Sequence, residues 1–134
     1  MLSLSINYEE VSEGQMNVIK DILTFTTKQL NIDTKDYNVE ISVDDIADGT
    51  NGMLFDNMKE KKFTMLIQDD RPLNDIIITM VHEMVHVKQF ILDDLEKEID
   101  KGSDMPYLER WWEVEAFSKT NEIIEKYCEM KKNC

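Results

Sequence analysis

Basic residues are scarce in this chain. Fifteen Lys and Arg stand against 28 Asp and Glu, a net charge of −13. That balance argues against nucleic-acid binding, because holding a phosphate backbone takes cations. It fits a self-repelling surface, or an acidic face offered to a basic protein partner. Long apolar runs are missing as well. Nothing approaches the ~18–20 consecutive apolar residues of a membrane span, so no membrane partner is expected. The opening M-L-S-L-S-I-N-Y-E-E has no basic segment and makes a poor secretory signal, which points to a cytoplasmic protein. Cysteine occurs twice, at Cys128 and Cys134. Their spacing matches no common zinc motif, so reduced thiols on a short tail are expected. Proline occurs twice and glycine four times, with no Pro/Gly-rich linker. A chain of 134 residues without a linker or repeat reads as one domain, residues 1–134. Histidine is limited to two residues, His82 and His86.

Against these absences the local patterns are clear. Ser12-Glu13-Gly14-Gln15 is a capping box, and Met16, Ile19, Ile22, Leu23, Thr26 and Leu30 follow at helical spacing, predicting a helix over 13–30. Tyr37, Val39, Ile41 and Val43 alternate with polar residues, as in a half-buried strand. The turn cluster at 48–52 separates it from two further strands, Gly52–Asp56 and Phe63–Gln68, joined by a polar loop. Pro72 suits the first turn of a helix expected to run from about Leu73 to Lys101 and to stop at Gly102. A last helix is expected from about Leu108 to Lys131, with Trp112, Ala116, Phe117, Thr120, Ile124 and Tyr127 inward. This order predicts an α+β domain: a small, mainly antiparallel sheet, a long helix and a C-terminal helix.

Both histidines lie in I-I-I-T-M-V-H-E-M-V-H-V-K-Q-F, residues 76–90. Residues four apart on an α-helix share a face, so His82 and His86 can reach one ion, with Zn²⁺–N bonds of ~2.0–2.1 Å. Glu83 is turned by roughly 100° and cannot easily be a third ligand. It is suited to act as a base on a water. The flanking residues are apolar nearly all round, and an unpaired glutamate there would be costly. A metal removes that difficulty.

Catalytic zinc usually takes three protein ligands. With no third histidine, the candidate segment is W-W-E-V-E-A-F, residues 111–117. Glu113 falls in the apolar stripe and is the expected ligand. Glu115 is the alternative, either as ligand or as a partner for a histidine. A purely structural site would need a fourth protein ligand such as Glu115 or Cys128, although Cys128 lies some four turns beyond Glu113. Asp93 and Asp94 read as a solvated charge run. Tyr107 and Arg110 are candidates to hydrogen-bond a developing oxyanion. Trp111 and Trp112 read as core and pocket-wall residues.

His82-Glu83-x-x-His86 followed by a glutamate on a later helix resembles the zincin metallopeptidases of gluzincin type. The segment around Glu113 is similar to short HExxH proteins of phages and bacteria, and to the peptidase domain of the ImmA/IrrE group, in which E-x-x-A carries the third ligand. The resemblance implies Zn²⁺ on His82, His86 and Glu113, with Glu83 as general base and a peptide or protein substrate. It also implies a substrate paired to a sheet edge, with Phe63–Gln68 as the candidate strand, and for a phage protein a location in the host cytoplasm. The gluzincin E-x-x-x-D pattern would have an acid where Phe117 stands, and the metzincin Gly-x-x-His extension is replaced around Gln89 and Leu92.

Overall fold

In the computed structural model of the protein, residues 2–6, 12–32, 36–46, 49–100 and 106–131 are described. The elements run β1 (Leu2–Ile6), α1 (Glu13–Gln29), β2 (Asn38–Asp44), β3 (Gly52–Asn57), β4 (Lys62–Gln68), α2 (Leu73–Leu92), α3 (Leu95–Asp100), a single 3₁₀ turn (Tyr107–Glu109) and α4 (Trp111–Lys131). The α+β class follows as expected.

The capping box at the start of α1 is complete. Gln15 N–H donates to Ser12 Oγ at 3.1 Å, and Ser12 N–H donates to Gln15 Oε1 at 2.9 Å. Two otherwise orphaned amides are thereby satisfied, so the helix starts where the pattern predicts. Its buried face is Ile19, Ile22, Leu23, Thr26 and Thr27.

The sheet order is β1-β2-β4-β3. β1 pairs parallel with β2, β2 pairs parallel with β4, and β3 pairs antiparallel with β4. Two of three pairings are therefore parallel, and the sheet is mixed rather than mainly antiparallel. Two features account for the difference. The first is β1, whose alternating L-S-L-S-I carried a period-two signal and which is joined to β2 through α1, the crossover a parallel pair requires. The second is that β4 folds back past β3 to lie beside β2. Val39, Ile41 and Val43 stand opposite Phe63, Met65 and Ile67, and all six are buried. Pairing these two strands sets their buried inner faces side by side, and each such side chain contributes about 1.5–3 kcal/mol. β4 is thus interior, not an edge. The edge beyond it is β3.

α2 packs on β3 and β4 and against α1 and α4. Ile76, Met80, Val81, Met84, Val85, Val87 and Phe90 are buried along it. The expected helix to Lys101 is interrupted. Asp93 closes α2 with its N–H on Gln89 O at 3.0 Å, Asp94 adopts a left-handed φ of 56°, and α3 begins at Leu95. On a straight helix Leu95 would stand about 140° round from Phe90. The break returns it to the core, where it is 2% exposed. Aspartate tolerates the left-handed conformation better than most residues. Gly102 lies outside the described residues.

α4 begins at Trp111, three residues later than expected, and buries Trp112, Glu113, Ala116, Thr120, Ile123 and Tyr127. Its inward face is rotated from the predicted stripe: Ile123 replaces Ile124, and Phe117 is 46% exposed. Trp111 is 37% exposed and stands edge-on to Trp112, so only Trp112 is a core residue.

Candidate metal centre

Where α2 and α4 pack, they bring two histidines four positions apart together with a glutamate at least 27 positions further along the chain. His82 and His86 project from consecutive turns of α2, and Glu113 comes from the first turn of α4. His82 Nε2 lies 3.2 Å from Glu113 Oε1, and His86 Nε2 lies 2.8 Å from the same oxygen. The two imidazoles meet edge to face, with centroids 4.9 Å apart. One ligand atom from each residue lies within 4.8 Å of the other two, so the group could hold a metal ion. A tetrahedral ion with bonds of ~2.0 Å sets its ligand atoms roughly 3.3 Å apart, near the 3.2 and 2.8 Å from Glu113 to the two histidines. Two imidazole nitrogens and one carboxylate oxygen are also a donor set that suits such an ion. The residues therefore fit a metal.

The electrostatics follow from burial and proximity. Burial alone would raise the Glu113 pKa, but hydrogen bonds with His82 and His86 hold its carboxyl far below the usual range. Burial would lower that of His86, yet hydrogen bonds to Glu113 and Gln89 raise it. Glu83 is pushed up, chiefly by desolvation and further by Glu113, against the opposing pull of His86 and His82. It lines the same cavity as His82, about 340 Å³, together with Gly52, Thr79, Tyr107, Phe117 and Thr120. Tyr107 is half exposed, and its hydroxyl hydrogen-bonds Glu113. Burial and that carboxylate push its pKa up, so the hydroxyl stays protonated. Arg110 does not line the cavity; its guanidinium lies over the Tyr107 ring at 5.9 Å.

The histidines are supported unequally. His86 Nδ1 lies 2.7 Å from Gln89 Oε1. Gln89 Nε2 donates to the Trp112 carbonyl at 2.8 Å and to Glu115 Oε1 at 3.0 Å. Glu115 also accepts from Lys88 at 3.1 Å. Glu115 thus stands outside the ligand group and reaches His86 only through Gln89. His82 is held instead by ring packing, with the Phe117 ring 4.8 Å away.

The other candidates fall away from the centre. Cys128 is disulfide-bonded, not a reduced thiol, and lines a different cavity. Cys134 lies outside the described residues. Asp93 and Asp94 pair with Lys88 and Lys97. Sequence reasoning passed over Gln89, although a fully buried amide one turn beyond His86 in an apolar run was itself a signal. Thr120 is a core position as expected, but its hydroxyl is buried with no partner among the described residues and the residue borders the cavity. The larger cavity, about 850 Å³, lies among α1, α2 and α4 and adjoins the smaller one at Ile78. It is mainly apolar and contains none of the metal-binding group.

No protein-family model matches the chain, and no curated protein matches it. No helix among the described residues is long and apolar enough to cross a membrane.

Proposed function

We propose that the protein is a zinc-dependent metallopeptidase of the zincin kind. The observation that carries this reading is the convergence of His82, His86 and Glu113 beside a half-buried Glu83 whose pKa is raised. His82, His86 and Glu113 would hold the ion. When bound, Zn²⁺ supplies Lewis acidity, which acidifies a water and polarises a carbonyl. Glu83 accepts a proton from the attacking water as the O–C bond forms. It returns that proton to the amide nitrogen as the C–N bond breaks. A pKa raised toward the working pH suits both halves of the transfer. Tyr107 donates its hydroxyl proton in a hydrogen bond to the developing oxyanion. The free edge of β3 offers backbone groups to an extended peptide, a part earlier assigned to Phe63–Gln68 and excluded there because β4 is paired on both sides.

The test is zinc content followed by a broad peptide screen. One zinc per chain is expected, lost in His82→Ala and Glu113→Ala. Glu83→Gln should keep the zinc and lose hydrolysis by a factor of about 10² or more. Full hydrolysis by a zinc-loaded Glu83→Gln would remove the mechanism.

The net charge of −13 supports a second reading, a catalytically inactive zinc-binding protein whose acidic surface regulates a basic partner. It expects an occupied site, no cleavage in the screen, and capture of a partner that weakens as salt rises.

A further inference from the structure

We infer that Gln89 is the positioning residue of the metal centre: its locked side-chain amide places the proton of His86 on Nδ1 and turns Nε2 toward the ion. The inference rests on the zinc reading above.

The argument is an accounting of donors and acceptors. Gln89 is fully buried, so its side-chain amide has no water to compensate a wrong orientation. It faces three groups: the Trp112 carbonyl, the Glu115 carboxylate and His86 Nδ1. The carbonyl can only accept. Glu115 is also an acceptor, because the Lys88 ammonium bonded to its Oε1 at 3.1 Å meets it as a carboxylate. An amide NH₂ has two protons, and these two acceptors use both. Reversing the amide would set Gln89 Oε1 against two acceptor oxygens at 2.8 and 3.0 Å, with no proton between them. The orientation is therefore forced, and Oε1 points at His86 at 2.7 Å. An acceptor at that distance requires a proton on Nδ1. The lone pair available to an ion is then the one on Nε2, the atom that faces Glu113.

The acceptors that lock the amide come from α4, while Gln89 and His86 come from α2. Trp112 and Glu115 flank Glu113 on either side in sequence. Docking the two helices therefore brings up the third ligand and sets the histidine tautomer in one step. Lys88 holds Glu115 in place and is itself held by Asp93, which the end of α2 folds back to 2.7 Å. His82 meets Glu113 through Nε2 at 3.2 Å but has no amide partner among the described residues, so the lock acts on His86.

Gln89→Met keeps the length of the side chain and removes the amide. The probe is Zn²⁺ itself, with affinity read by competition against a chelator. A loss of roughly 10- to 100-fold is expected, the usual effect of removing an outer partner of a ligating histidine. The second readout is imidazole ¹⁵N NMR of the zinc-loaded protein. The wild type should show a solvent-protected proton on His86 Nδ1 with Nε2 as the ligand, and in Gln89→Met that proton should exchange freely. Zinc on Nδ1 of His86 in the wild type overturns the inference whether or not the variant folds. Unchanged affinity in a folded Gln89→Met overturns it while leaving the zinc reading intact. A wild type that binds no zinc removes the zinc reading, and the inference with it.

Discussion

Glu113 should couple zinc binding to folding stability, and removing it should separate the two. The residue is 4% exposed and its carboxylate meets both histidines. In chelator, Glu113→Ala deletes the shared acceptor. Breaking a buried charge pair can cost about 3–5 kcal/mol when the partner stays charged. Here His86 can shed its proton once the carboxylate is gone. The loss should therefore approach about 1–3 kcal/mol, the cost of leaving buried polar groups unpaired. With zinc at 100 times its Kd, the wild type should gain about 2.7 kcal/mol by mass action, a rise in Tm of roughly 10 °C for a domain of this size. Glu113→Ala should gain almost none of it.

The shift should also depend on pH, with a defined sign. Glu113 is held below its ordinary 4.5, so its contribution in chelator is present above that value and lost as pH falls toward the depressed one. His86 is raised above its ordinary 6.5, so its contribution is full below 6.5 and lost as pH climbs through the raised value. The pair therefore stabilises most between 4.5 and 6.5. Zinc must displace the proton from His86 Nε2, so the zinc-induced shift should grow as pH rises through that window and beyond. Differential scanning fluorimetry in chelator and in zinc, across pH, reads all of these quantities. A full zinc shift in Glu113→Ala, or a wild-type shift that shrinks as pH rises through the window, would refute the reasoning.

Further outcomes follow from single contacts. Glu83→Gln should be at least as stable as wild type to urea at pH 7, because burial already penalises the Glu83 charge; a clear loss would mean the carboxylate is favourably paired. Gly52 abuts α2 so closely that an added Cβ would lie 2.6 Å from Thr79 Cγ2. Gly52→Ala should cost about 1–3 kcal/mol by overpacking, and adding Thr79→Ser, which removes that methyl, should recover much of it in thermal denaturation. Phe63 is fully buried at the centre of the sheet, with the Tyr37 and Phe90 rings 6.1 and 5.9 Å away. Phe63→Ala should lose about 3–5 kcal/mol in chemical denaturation, with a smaller loss marking a core that closes over the gap.

What the sequence determined by itself was whatever depends on neighbours a few residues apart. The capping box at Ser12, the alternation through Val39–Val43 and the pairing of His82 with His86 are all local, since helical and strand periods are properties of the backbone. Glu113 was legible for a related reason. A glutamate in an apolar stripe needs a partner, and His82 and His86 stood without a third ligand. The tertiary structure decided the rest. Which strand lies at the edge depends on pairing between distant segments, so β4 proved interior although its sequence reads as a strand either way. The rotation of α4, which sets Phe117 against His82 and replaces Ile124 with Ile123, depends on how two helices dock. The same docking converts Gln89 from an odd polar residue in an apolar run into the partner of His86. Its two acceptors lie on another helix, more than twenty residues away, and no local period connects them.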